Sequence, residues 1–214
     1  MGKQTISYSA LIASLAALGF ILALIFYRSV YFDVFLVWSQ KNIILFFVII
    51  SFLKFISVVY PPLPGSVFTL GAIPVLGWQV AYLTDFLGGV GGAFASYYLS
   101  YKYGFRIIEK IFDRKTIEKV KKLKIRESRQ IEAVITLRFV TGSIASEVLN
   151  YGSGILKIKF KYFFIGTIIA HPVFGIPIFY FAGSIIHGKN LLLMIALALF
   201  SIFVLYKIRG RYLE

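Results

Sequence analysis

Ser9 to Tyr27, SALIASLAALGFILALIFY, runs for 19 residues without a charged side chain, close to the ~20 a helix needs to cross a bilayer. Nothing else in the sequence narrows the fold as much. Backbone in hydrocarbon must find its hydrogen bonds within the protein, which leaves helices and closed barrels. A signal peptide with Lys3 as its n-region is the alternative, but the run is long for one and no clear small-residue cleavage site follows. Four further apolar runs have spanning length: Ile43 to Tyr60, interrupted only by Lys54, then Gln79 to Tyr101, Tyr162 to Ile186 and Leu191 to Ile208. Apolar residues make up 59% of the 214, against roughly 45 to 50% in soluble domains. The expected fold is an all-α integral membrane protein with about five spanning helices. The absence of cysteine excludes disulfides, thiolate metal sites and thiol nucleophiles.

Two apolar segments do not read as simple spans. VVYPPLPGSVFTLGAIPVLGW, Val58 to Trp78, holds four of the six prolines and three glycines but no Lys, Arg, Asp or Glu. Each proline removes a backbone donor and restricts the residue before it. Irregular backbone at membrane depth survives only where it is buried in protein or lines a wet cavity. Pro61 to Gly77 therefore reads as a re-entrant hairpin. Pro61, Pro62, Pro64 and Gly65 form its mouth, Gly65 to Leu70 a half-helix, and Gly71, Pro74 and Gly77 the turn back. Ile131 to Leu156 is the second broken segment, with Gly152 and Gly154 read as a turn. Each is followed by a helix rich in Gly or Pro, the pattern of an inverted repeat with two opposed re-entrant hairpins. In such folds the transported species sits near the midplane, where the half-helix ends meet.

Charge orients the chain. The formal net charge is +14, which in a soluble protein would suggest nucleic acid. With Lys102 to Gln130 cytoplasmic and both broken segments re-entrant, 19 of the 23 Lys/Arg fall on the cytoplasmic face. Lys3 and Lys189 are left outside, with Lys54 and Arg138 at membrane depth. A bias of that size follows the positive-inside rule. It puts the C-terminus in the cytoplasm, suits the plasma membrane of a prokaryote and explains the charge without nucleic acid. The expected layout is an N-terminal span and connector (1–42), a core (43–190) and a C-terminal span with a basic tail (191–214). Lys102 to Gln130 carries eleven Lys/Arg, four Asp/Glu and an apolar stripe from Ile107 to Ile125. It reads either as a helix lying on an anionic membrane surface or as a solvated charged loop. Gly88, Gly89, Gly92, Ala93 and Ser96 form four-residue pairs that allow close helix approach in lipid. They fit no dinucleotide fingerprint, since no strand precedes them and the pattern is incomplete.

An ionisable group at membrane depth costs ~2.5 to 3.5 kcal/mol on insertion scales unless it pairs, faces water or works. Five residues qualify. Arg138 has a planar fork that suits phosphate, or a structural pairing with Glu147 or a re-entrant carbonyl. Glu147 reads as a proton site or as a partner for Lys54 or Arg138. Lys54 either contacts a ligand or snorkels outward. Asp85 titrates or caps a neighbouring half-helix. His171, before Pro172, either satisfies the break at Ile168 or relays protons. Asp85, Glu147 and His171 are the proton-coupling candidates. No HExxH, CxxC or Gly-x-Ser-x-Gly pattern occurs, so neither hydrolase chemistry nor a bound metal or other cofactor is expected.

PPLPGSVFTLGAIPVLGW, the Gly-rich helix ending in YYLSYKYG, LRF, VLNYGSGILKIKFKYFFIGTIIA and FYFAGSII together resemble the DedA/VTT superfamily, also called the SNARE-associated Golgi protein family. The TVP-type branch is the nearer likeness, over about Phe52 to Ile186. The resemblance implies two opposed re-entrant helices and movement of lipids. In eukaryotic relatives that is phospholipid scrambling; in bacterial ones it is flipping of polyprenyl phosphate or phospholipid, with or without proton coupling. Pro64 and Gly65 match the family's Pro-Gly mouth, Arg138 its Arg-Phe motif, and Asn150 and Gly154 the TVP-type Asn-Tyr-x-x-Gly pattern. The DedA-type acidic residue before the prolines is absent, with Lys54 near its place, and Ile144 stands where a second arginine is expected. Proton coupling of the DedA kind is therefore not implied.

The expected function is a flippase or scramblase whose polar cavity takes anionic lipid headgroups at Arg138, Glu147, Asn150 and Lys54. Its partners would be membrane lipids and, in a homo-oligomer, a second copy of the chain. The alternatives are a proton-coupled transporter of ions or small solutes and a non-transporting membrane scaffold; an enzyme is not expected.

Overall fold

The structure, a computed structural model, describes residues 29–112, 117, 118, 120, 130–141 and 146–186. The expected spans Ser9 to Tyr27 and Leu191 to Ile208 lie outside those residues, as does most of the basic segment. Among the described residues there are eight helices and no strand. They are α1 (Val30–Lys41), α2 (Ile43–Val59), α3 (Gly65–Gly71), α4 (Ile73–Tyr103), α5 (Phe105–Ile111), α6 (Gln130–Thr141), α7 (Ser146–Ile155) and α8 (Phe160–Ile186). The chain divides into two units, Met1–Leu45 and Phe46–Glu214. In the first, α1 ends at Asn42, whose backbone N–H and side-chain amide both donate to the Trp38 carbonyl, at 3.0 and 2.9 Å.

The second unit contains the order helix, short helix, long helix twice: α2, α3, α4 and then α6, α7, α8. Proline chemistry explains the first break. Pro61 and Pro62 have no N–H, so the last carbonyls of α2 lose helical donors. Ser96 Oγ donates to the Val58 carbonyl at 3.3 Å in place of the N–H that Pro62 lacks, and Tyr151 OH donates to the helix-end carbonyl of Val59 at 2.6 Å. Pro64 then caps α3, Ala72 ends it, Pro74 sits in the first turn of α4, and Gly77 kinks α4 at φ 72° and ψ 162°. A side chain at that φ would be strained.

The second short helix closes differently. Gly152 and Gly154 are buried residues inside α7, not a turn as their Gly-Ser-Gly spacing suggested. Their use is proximity: a Cβ on Gly154 would overlap the Tyr97 carbonyl and Ser100 Oγ of α4. The turn comes later, at Lys157 (φ 52°). There Ile158 N–H donates to the Ser153 carbonyl at 3.0 Å and Lys157 N–H to that of Gly154 at 3.1 Å, the paired bonds of a Schellman cap. Tyr97 OH takes the free Ile158 carbonyl at 2.6 Å.

Small residues also seat the long helices. A Cβ on Gly92 would meet Val58 Cβ at 2.7 Å, one on Gly166 would meet Val134 Cβ at 2.9 Å, and one on Gly183 would meet Trp78 Cβ at 2.8 Å. The expected small-residue stripe on α4 is thus a packing surface, as close approach in lipid requires.

Polarity is inverted relative to a soluble protein. Phe52, Val67 and Ile185 are 59, 65 and 59% exposed, while Lys54, Asp85, Arg138, Asn150 and Thr167 are all buried. Large apolar surfaces outside and charges inside suit a chain surrounded by hydrocarbon. One described helix, over Phe160–Ile185, is by itself long and apolar enough to span, and α1 and α2 reach that standard only when counted together. The described part of the basic segment uses its apolar stripe on the protein. Ile107, Ile111, Phe112 and Ile117 pack about Tyr151 of α7, so these side chains are not free to lie on a membrane surface.

Candidate functional site

Two buried cations organise the interior, each placed by close helix packing. Lys54 leaves α2 where it crosses the glycines of α4. A Cβ on Gly88 would lie 2.7 Å from Lys54 Cβ, and one on Gly89 would lie 2.8 Å from His171 Nε2. The missing side chains make room for the lysine and histidine beside Asp85. Lys54 Nζ stands 2.7 Å from Asp85 Oδ1 and donates to Ser66 Oγ at 3.5 Å. Thr69 Oγ1 donates to the same Asp85 oxygen at 2.8 Å, and His171 Nε2 lies 3.4 Å from the other. Four helices, α2, α3, α4 and α8, thus meet at one carboxylate. Asp85 grips the side chain of the first short helix rather than capping its end.

Arg138, from α6, has a different environment. Its Nη2 donates to Asn150 Oδ1 at 2.6 Å and to Thr167 Oγ1 at 2.9 Å, and Thr167 passes its own hydrogen to the Phe163 carbonyl at 2.7 Å. The guanidinium carbon lies 5.7 Å from the Phe163 ring centroid, within the range of a cation–π contact. Arg138 Nε is buried without a hydrogen-bond partner. Among the described residues neither Arg138 nor Glu147 belongs to an ion pair within 4.0 Å. The pairings of Glu147 with Arg138 or Lys54 that the sequence allowed are therefore not formed as direct contacts; Lys54 is taken by Asp85.

A cavity of about 120 Å³ joins the two clusters and is lined by Lys54, Asp85, Arg138, Glu147, Asn150 and His171, among others. All five ionisable candidates, with Asn150, therefore converge on one space. The proline and glycine candidates do not line it: Pro61, Pro62 and Pro64 precede α3, Gly65 and Gly71 bound it, and Pro74 and Gly77 open α4. Gly65 has a supporting part, since a Cβ there would crowd Ser57 Cβ at 2.7 Å and Lys54 Cδ at 3.2 Å. Ser66, Thr69 and Thr167 are the polar residues that sequence reasoning missed. Their only signal is a hydroxyl within an apolar helix, where back-bonding to the preceding turn is the ordinary use. His171 does not satisfy the break at Ile168 as expected: its Nε2 faces Asp85, its Nδ1 is buried without a partner, and its ring meets Phe86 edge-on at 5.3 Å. Among the described residues no group of three or more His, Cys, Asp or Glu could hold a metal ion.

Residues 63–185 match the family model of the VTT domain, the domain of the DedA/SNARE-associated Golgi proteins. The chain belongs to the VTT-domain family. That is a membrane family often linked to transport. The VTT domain begins just ahead of α3 and ends near the end of α8, so it contains Asp85, Arg138, Glu147, Asn150 and His171. Lys54 stands before its first matched residue. No curated protein and no solved structure was found to match the chain.

Proposed function

We propose that the protein is a lipid flippase or scramblase that passes phosphate-bearing headgroups, of phospholipid or polyprenyl phosphate, through the cavity between its two short helices. One observation carries this reading. Arg138 is buried on the cavity, and among the described residues its hydrogen bonds go to the neutral oxygens of Asn150 and Thr167. A buried guanidinium with no carboxylate within 4.0 Å among the described residues keeps hydrogen-bonding capacity for an anion, and its fork matches a phosphate. Phosphate entering the cavity would supply an anion in direct contact with the guanidinium, while the acyl or prenyl chains remain in lipid beside the exposed apolar faces of α2, α4 and α8.

In this reading α3 and α7 belong to two re-entrant hairpins entering from opposite faces, within about five spans arranged as an inverted repeat. The C-terminus is cytoplasmic, the host membrane is a prokaryotic plasma membrane, and the working unit is a monomer or homo-oligomer that transports rather than catalyses. The repeated order of helix, short helix and long helix supports the repeat. Matched spacing does so too, since Lys54 to Ser66 and Arg138 to Asn150 are both hydrogen-bonded pairs twelve residues apart. A proton-coupled solute path through Asp85 is less well supported, because that carboxylate is already engaged by Lys54, Thr69 and His171.

The test is a liposome assay on purified full-length protein with fluorescent lipids that differ only in the headgroup. Phosphate-bearing lipids are expected to cross at least tenfold faster than in protein-free liposomes, and a neutral glycolipid or diacylglycerol is not. Equal movement of all lipids, or of none, would remove the reading.

A further inference from the structure

We infer that Asp85 and Ser66 form a monovalent-cation site that the chain fills with its own Lys54 ammonium. Nζ is 2.7 Å from Asp85 Oδ1 and 3.5 Å from Ser66 Oγ. These oxygens come from a long helix and from a short helix beside it, and in transporters built from broken helices coupling cations bind where such elements meet. Lys54 and Asp85 are 8 and 6% exposed. The carboxylate is fixed before any cation arrives, because Thr69 Oγ1 donates to Oδ1 and His171 Nε2 stands against Oδ2. Gly88 and Gly89 leave the space the lysine stem crosses, and an added Cβ on Gly89 would stand 3.6 Å from Lys54 Cε.

A tethered ammonium balances Asp85 but cannot diffuse away. A mobile cation at this place would bind and leave with each cycle and so draw on its own gradient. Lys54, bound covalently to α2 and paired with Asp85, occupies the place and closes that route. Resting on the lipid-transport reading for this consequence alone, the inference makes lipid movement independent of sodium and proton gradients at Asp85. The charged and titratable groups around the pair are His171 from α8, Arg138 from α6, Glu147 from α7 and Tyr82 from α4; α3 offers only the hydroxyls of Ser66 and Thr69.

Removing the ammonium should expose the site to solution ions. The direct measurement is the thermal unfolding midpoint of the detergent-purified full chain in sodium, lithium and choline chloride at equal ionic strength. Wild type is expected to show the same midpoint in all three. Lys54→Ala should be lower in choline, and sodium or lithium should raise it saturably by about 2–4 °C or more. The doubly substituted Lys54→Ala/Asp85→Asn should lose that ion preference. A wild-type midpoint that depends on sodium, or a Lys54→Ala midpoint indifferent to the cation, would overturn the site. If Lys54→Ala does not fold, Lys54→Gln is read by the same criteria. Lipid movement by wild type in liposomes, with and without imposed sodium and proton gradients, is the second arm. Equal rates are expected, and acceleration by either gradient overturns the inference. If no lipid moves at all, the headgroup reading fails while the thermal measurement still decides the cation site.

Discussion

Lys54 and Arg138 are both buried cations on the helix that precedes a short helix, and each hydrogen-bonds a residue twelve positions on. They differ in what neutralises them. Lys54 has a carboxylate at 2.7 Å and sits in a closed network with Thr69, Ser66 and His171. Arg138 has an amide and a hydroxyl, an aromatic face, and one buried nitrogen without a partner. The same architectural position thus holds once a cation in direct contact with a carboxylate and once a cation whose contacts among the described residues are neutral. Burial alone does not mark a binding residue; the identity of its acceptors does.

The largest effect should come from Asp85→Ala, which strands the Lys54 ammonium at a cost of about 3–5 kcal/mol. The paired substitution Lys54→Met/Asp85→Leu should recover most of that in unfolding measurements in detergent. If the pair is no better than the single variant, Asp85 serves something other than Lys54. On the other side, Thr167→Val removes one of two hydrogen bonds to a charged group and should cost about 1.5–3 kcal/mol. Restoring that stability by adding inorganic phosphate would sharpen the contrast, since only an open cation gains from an added anion.

The two short helices are also docked unequally. A Cβ on Gly154 meets backbone atoms of Tyr97 and Tyr101, whereas one on Gly65 first meets the movable side chain of Ser57. Gly154→Ala should therefore cost about 1–3 kcal/mol and more than Gly65→Ala, as read by the shift in unfolding midpoint. The smallest effect lies at the end of α7. Lys157 holds φ 52° without being glycine, so Lys157→Gly should stabilise by at most about 1 kcal/mol. A loss there would show that the lysine side chain makes a contact worth more than the backbone strain.

Much of this was legible in the residues. The prolines of VVYPPLPGSV announced the first break because a missing N–H cannot be hidden in an apolar setting, and Arg138 stood out because charge there is costly. The spacing of Gly88, Gly89 and Gly92 revealed close packing, though not that it clears space for Lys54 and His171. The Lys54–Asp85 pair was not legible: its members lie on separate helices, and only the crossing at Gly88 brings them together. Gly152 and Gly154 misled because glycine signals a turn in isolation, while inside a packed helix it signals contact. Tyr151 carried no hint of its bond to Val59, a helix-end carbonyl far away in the chain. Pairings of this kind depend on tertiary placement, which local chemistry does not encode.

The most direct test of the open-cation claim is the rate at which purified Arg138→Gln and Arg138→Lys move a fluorescent phospholipid across liposomes, beside wild type and with folding verified by unfolding midpoint. Charge-assisted contacts of ~1.5–3 kcal/mol imply that Arg138→Gln falls by about tenfold to a hundredfold, with Arg138→Lys retaining part of the rate. A folded Arg138→Gln that moves phospholipid at the wild-type rate would contradict the account.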